Sequence, residues 1–269
     1  MIALISAVAL LTSLCAMAEA PKRSGKATAQ WIAPAGPVEA GQSLKTVIRI
    51  DVDDPWHVYW YNPGEAGMPT SAEIKLPEGW KSSGLLHPIP KNFKTGGLHG
   101  FGHEGIVDYA LELIAPKGFK GDAEFEANVE WLSCNDDACI PGEMMLKLKL
   151  VDGKPVGAAT NGKAVSIAFS KLPIRADTEV MLTLESSEDD WKLVIEDAAK
   201  LGFEPANTEV FIETQELVHA STKVTFKKVQ DKWVAEAPKS EFALQKPDEC
   251  AIVLVQKGKP AVRLEWKRP

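Results

Sequence analysis

The chain has 269 residues, 45% of them hydrophobic and 25% charged, with a net charge of −7 and a pI near 5.4. That length suits one large or two ordinary globular domains, and no biased tract points to a fibrous or disordered chain. The acidic balance argues against nucleic acid as a partner, because nucleic-acid binders present a basic face.

Residues 1–18 are expected to be a secretory signal. Residues 2–14 form its apolar segment, and Ala16-Met17-Ala18 supplies the small-x-small cleavage pattern, so the mature chain is expected to begin at Glu19. No later run reaches the ~18 apolar residues that a membrane helix needs. The mature protein is therefore expected to be soluble and to reside in the periplasm or another exported compartment. Cleavage removes Cys15 and leaves Cys134, Cys139 and Cys250. In an oxidising compartment, paired cysteines are normally disulfides. Cys250 lies in the apolar run "ECAIVLV" and reads as a buried, inert thiol.

Strand patterns follow. "SLKTVIRIDV" alternates through Leu44, Thr46, Ile48 and Ile50, and "VDYALELIA" through Val107, Tyr109, Leu111 and Leu113. In "EFEANVEWL", Phe125, Ala127, Val129 and Trp131 share one face. "MMLKLKL" puts Met144, Leu146, Leu148 and Leu150 inward, with Lys147 and Lys149 outward. The last two runs read as a hairpin whose connection carries Cys134 and Cys139. The small, polar, strand-poor stretch 153–164, "GKPVGAATNGKA", reads as a linker. Beyond it, "EVMLTLES", "WKLVIED", "EVFIET", "KWVAEAP", "CAIVLVQ" and "AVRLEWK" form a second set of short strands, interrupted by a short helical turn at "EDAAKLG". The predicted class is all-β: an immunoglobulin-like β-sandwich over residues 21–152, then a second, smaller β-sandwich over 163–269.

The segment "WLSCNDDACIPGE" leaves three chemistries open for its cysteines. A structural bond closing so short a ring would stabilise by only about 2 kcal/mol, and a hairpin already registered by two amphipathic strands gains little from it. A redox couple of thioredoxin type is unsuited, because that motif has two intervening residues at a helix start. Here there are four, in a hairpin, and Asp136 and Asp137 should raise the thiol pKa values. Such a pair suits exchange with a docked partner whose own cysteine attacks or leaves. A Cu or Zn site would recruit His99 and His103 from "LHGFGHEG" to join Cys134 and Cys139.

Four pieces in order, "DPWHVYWYNPGEAGMPTSAEIKLPEGW", "HPIPKNF", "GFGHEG" and "WLSCNDDACIPGE", resemble the N-terminal thiol-carrying domain of DsbD- and ScsB-type thiol:disulfide interchange proteins over about residues 28–152. The resemblance implies an immunoglobulin-like fold presenting a redox couple, Cys134 and Cys139, with Cys139 forming the mixed disulfide with partners. It implies a cap loop at "GLHGFGHEG" with Phe101 as the covering ring beside Gly102 and His103, and His57 and Tyr59 as aromatic surroundings of the cysteines. It further implies that the protein is a protein-disulfide reductase or interchange component without a cofactor. The implied partners are thioredoxin-like exported proteins and a membrane thiol transporter supplied in trans. The competing expectations are a binding module with a purely structural disulfide and a Cu/Zn-handling protein.

Overall fold

The computed structural model describes residues 20–244 and 247–268, so the expected signal at 1–18, with Cys15, lies outside the described residues. The first half is a sandwich of two sheets. In one, strands run in the order Lys22–Ser24, Ala27–Ala33, Ser43–Val52, Ile106–Ile114 and Lys81–Ser82. In the other the order is Lys154–Val156, Cys139–Val151, Ala123–Cys134, His57–Gly64, Leu98–Glu104 and Lys91–Thr95. Ser71–Lys75 pairs with Ala123–Cys134 beside this path.

Alternation decides what lies between the sheets. Ile48, Ile50, Val107, Tyr109, Leu111, Phe125, Val129, Trp131 and Leu148 are all buried in one apolar cluster. The long hairpin pairs Phe125 with Leu148, Ala127 with Leu146 and Val129 with Met144, as its two alternating runs require. On its outer face Lys149 reaches Glu124 at 2.6 Å and Lys147 reaches Glu126 at 2.8 Å. These exposed pairs add little energy, but they oppose a slip that would exchange the two faces.

The stretch expected to be a linker is structured. Strand Ala159–Thr160 pairs parallel to Ala27–Ala33, and helix Gly162–Ser170 follows, capped where the Asn161 side chain accepts a hydrogen bond from Ala164 N at 2.9 Å. Ala164, Val165 and Ala168 pack on Ile32, Val47 and Ala110, the face of the first sheet turned away from the main core. Ala164, at the end of the expected linker, and Ala168 are small enough to let this helix lie close to the sheet. The expected second-domain start at 163 falls inside this helix.

The second half is a smaller sandwich. One sheet has the order Ile174–Arg175, Val262–Lys267, Glu249–Val255, Glu209–Ile212. The facing one has the order Leu182–Ser186, Asp190–Ile195, Lys232–Pro238, Lys227–Val229. Its core holds Trp191, Trp233, Ile252, Leu254 and Cys250. The helical turn expected at "EDAAKLG" is a 3-10 turn, Ala198–Leu201, closed by Gly202 in the left-handed conformation. Among the described residues the protein is all-β apart from this turn, a second short 3-10 turn and one helix, and no helix there is long and apolar enough to cross a membrane.

The sandwiches meet through a separate apolar cluster in which Trp60 and Phe101 of the first pack with Phe211, Val253 and Ala261 of the second. Polar contacts frame it: Asn62 Nδ2 donates to Ile212 O at 2.9 Å, Gln215 Nε2 to Tyr61 O at 2.6 Å, and Asn92 Nδ2 to Glu209 Oε1 at 2.7 Å.

Candidate active site

Cys134 and Cys139 stand opposite each other at the end of the long hairpin and are joined as a disulfide, with Cα atoms 4.1 Å apart. The connecting loop is ordered by Asn135, whose side-chain oxygen accepts from Asp137 N at 3.0 Å and Ala138 N at 2.9 Å, while Asn135 N donates to Ala138 O. Strand parity sets the direction of both cysteines. Trp131 and Val129 point into the core, so Cys134, of the opposite parity, belongs to the outer face of the sheet, as does Cys139 on the partner strand. Yet Cys134 is 0% exposed, whereas Cys139 is exposed. Something covers one cysteine and leaves the other open.

Beside Cys134 on this outer face lies a second hairpin, Lys91–Thr95 with Leu98–Glu104, turning at Gly96 and Gly97. Cys134 is paired with His57, and the His57 strand is paired with Leu98–Glu104, so His57 and Tyr59 join Cys134 on the outer face. Phe93 and Thr95 come over them. The Phe93 ring lies 4.0 Å from the His57 ring and 5.6 Å from that of Tyr59. Thr95 Oγ1 is 3.0 Å from His57 Nε2, which is 3.2 Å from the Tyr59 hydroxyl. At the tip, Gly96 N donates to Asp136 Oδ1 at 3.4 Å, tying this capping hairpin to the cysteine loop.

The glycines of "GFG" make room for a ring. A Cβ on Gly100 would stand 2.8 Å from the Phe93 ring. On Gly102 it would stand 2.9 Å from that ring and 2.0 Å from Val58 O. Both positions are bare so that Phe93 can lie flat across its own partner strand. Phe101, between them, has the opposite parity. It is not the ring over the cysteines: it points to the inner face, where its ring centroid is 6.0 Å from that of Phe211. Phe93, not Phe101, is the ring on the outer face, where it packs on His57 and Tyr59.

His99 and His103 share the parity of Phe101 and fall on the face opposite Cys134. The sheet separates them from the disulfide, so the four residues expected to share a Cu or Zn ion are not brought together. Among the described residues no group of three or more His, Cys, Asp or Glu side chains is placed to hold a metal ion.

Burial sets the electrostatics. It lowers the pKa of His57 against the opposing pull of Glu104 and Asp136, and keeps the ring neutral near pH 7. Burial also raises the Tyr59 phenol, partly offset by a hydrogen bond with Thr95. Away from the disulfide, His87 is pushed down to about 3, by burial first and by nearby His103 second, and burial pushes His103 down to about 4. Burial drives the Cys250 thiol up to about 12, so its reactive thiolate is suppressed.

Phe93 and Thr95 are not singled out by the sequence, and Gly100 serves there to clear room for a ring rather than to free the backbone. The available signal was the period of two in Gly100-x-Gly102, which strips one face of a strand of side chains beside an alternating "NFKT".

Residues 28–150 match the family described as thiol:disulfide interchange protein DsbD, N-terminal. This segment is a DsbD-type N-terminal domain. The DsbD-type match takes in the central strands of both sheets of the first sandwich and the cysteine hairpin up to its last residue. Among solved structures, the N-terminal periplasmic domain of ScsB from Proteus mirabilis shares the fold, with a TM-score of 0.61 at 13% identity, covering 91% of this chain and 94% of that one. The alignment therefore extends through the second sandwich. A marsupial T cell receptor aligns at a TM-score of only 0.21 and 12% identity, covering 93% of this chain and 99% of that one. Comparison with curated proteins gives no match.

Proposed function

We propose that the protein carries electrons by thiol–disulfide exchange through Cys134 and Cys139, in the periplasm or another exported compartment, with thioredoxin-like proteins as partners. The observation that carries this reading is the unequal exposure of the pair within a DsbD-type domain: Cys139 open to solvent, Cys134 enclosed by the capping hairpin. A bond serving only to hold the strands together has no need of such a difference.

The exchange balances in two steps. In the reduced protein, the Cys139 thiolate attacks one sulfur of an oxidised partner. The partner's disulfide breaks, its other sulfur leaves as a thiolate, and a mixed disulfide forms on Cys139. The Cys134 thiolate then attacks Cys139 Sγ, closing the intramolecular disulfide and releasing the partner with two thiols. Two electrons have moved to the partner, and a membrane thiol transporter would restore the reduced pair by the reverse sequence. Neutral His57, with Tyr59 and Thr95, gives the enclosed cysteine a largely uncharged setting, which favours its protonated form between visits.

The test is direct exchange. Reduced protein mixed with an equimolar oxidised thioredoxin-like protein, quenched with acid and alkylated, should show both proteins changing redox state together within minutes at pH 7. If the partner remains oxidised while dithiothreitol reduces it readily, the reading is wrong.

A further inference from the structure

The capping hairpin has two faces, and the second sandwich holds one of them. Its front carries Phe93 and Thr95 onto His57, beside Cys134. Its back carries Phe101 and Asn92, which reach Phe211 and Glu209 on strand Glu209–Ile212. That strand is turned for the purpose. Ile212 points into the second core, while Phe211 and its cross-strand partner Val253 point away from it. Phe211 and Val253 are buried because Trp60 and Phe101 cover them. Strand Lys91–Thr95, at the edge of its sheet, is hydrogen-bonded to a neighbour on one side alone. Leu98–Glu104 is anchored to His57–Gly64, so Lys91–Thr95 is the less supported strand of the pair, and what packs on its back matters most there.

We infer that Phe211 and Glu209 are positioning residues for the redox couple: the second sandwich braces the back of the capping hairpin and so fixes how completely its front encloses Cys134. The inference rests on the exchange reading for its importance, not for its measurement. Phe101 then serves the cap from behind, which accounts for an aromatic residue between two obligatory glycines.

Dithiothreitol reduction of the oxidised full chain at pH 7, followed by alkylation, reads the enclosure. The reagent is oxidised to its cyclic disulfide as Cys134 and Cys139 become thiols. An aromatic pair of this kind corresponds to roughly 2- to 10-fold in an opening equilibrium. Phe211→Ala should raise the reduction rate by about that factor, Phe211→Leu should return it close to wild type, and Asn92→Ala should raise it less. In a Phe93→Ala background, where the front of the cap is already open, Phe211→Ala should add nothing. Unchanged rates in both Phe211→Ala and Asn92→Ala overturn the brace, as does a full additional increase in the Phe93→Ala background. None of these outcomes depends on exchange with a thioredoxin-like protein, so failure of the brace and failure of the exchange reading are told apart.

Discussion

Cys134→Ser, expressed in cells with an oxidising envelope, should accumulate disulfide-linked adducts with thioredoxin-like proteins, at least about tenfold more than Cys139→Ser. The asymmetry follows from exposure. Cys139 lies at the open end of the hairpin, where an incoming sulfur can reach it, and without Cys134 the mixed disulfide has no internal nucleophile to resolve it. In the converse variant the remaining thiol is the fully buried Cys134, beside His57 under Phe93 and Thr95. Either substitution removes the same short crosslink, worth about 2 kcal/mol, and urea unfolding of both variants controls for the hydroxyl that Cys134→Ser buries. Non-reducing electrophoresis before and after dithiothreitol, with the adducts identified by mass spectrometry, gives the answer. Equal adduct yields from the two variants would remove the case for Cys139 as the attacking sulfur.

The second large effect is on stability in acid. His87 and His103 are both buried, each with a ring nitrogen that has no protein partner, in a cluster where the His87 ring stacks on Tyr61 at 3.9 Å. Their folded pKa values, about 3 and about 4, lie below the unfolded value of 6.5. The unfolded chain therefore binds protons that the folded one refuses. No stability is lost above pH 6.5, and loss grows as pH falls from there toward the folded values. Between pH 7 and pH 5 each histidine costs up to about 2 kcal/mol, or about 4 kcal/mol together. His57, lowered in the same direction, adds to the slope. Urea unfolding of the first sandwich at the two pH values measures it. His87→Phe, which keeps an aromatic ring against Tyr61, should remove about half of the pH dependence. An unchanged slope in that variant would show that His87 titrates normally in the folded protein.

Much of the fold is legible in the sequence because period-two alternation records which face is dry. Phe125, Ala127, Val129 and Trp131 could point in only one direction, and the facing run from Met144 to Leu150 fixed its partner and register. The same alternation fixed the side of the sheet on which Cys134 stands. Legibility fails where a signal is shared by two structures. Small residues at 153–164 suit a linker and equally short strands leading into a helix pressed on a sheet; the burial of Ala164, Val165 and Ala168 decides between them. Glycines around Phe101 suit a mobile loop and equally a strand with one bare face, and only the position of the Phe93 ring shows which. The contact between sandwiches was illegible for another reason. Phe211 and Val253 look like ordinary strand residues until the register shows them facing away from their own core.

The central claim is that the Cys134–Cys139 bond is made and broken under the conditions where the protein works. Its reduction potential is the most direct test. Oxidised protein equilibrated against graded mixtures of reduced and oxidised glutathione, then alkylated and resolved by mass, should be half reduced at a potential between about −270 and −180 mV, the range of thioredoxin-like carriers. A midpoint below about −300 mV would place the bond with structural disulfides that glutathione does not reduce, and would contradict the account.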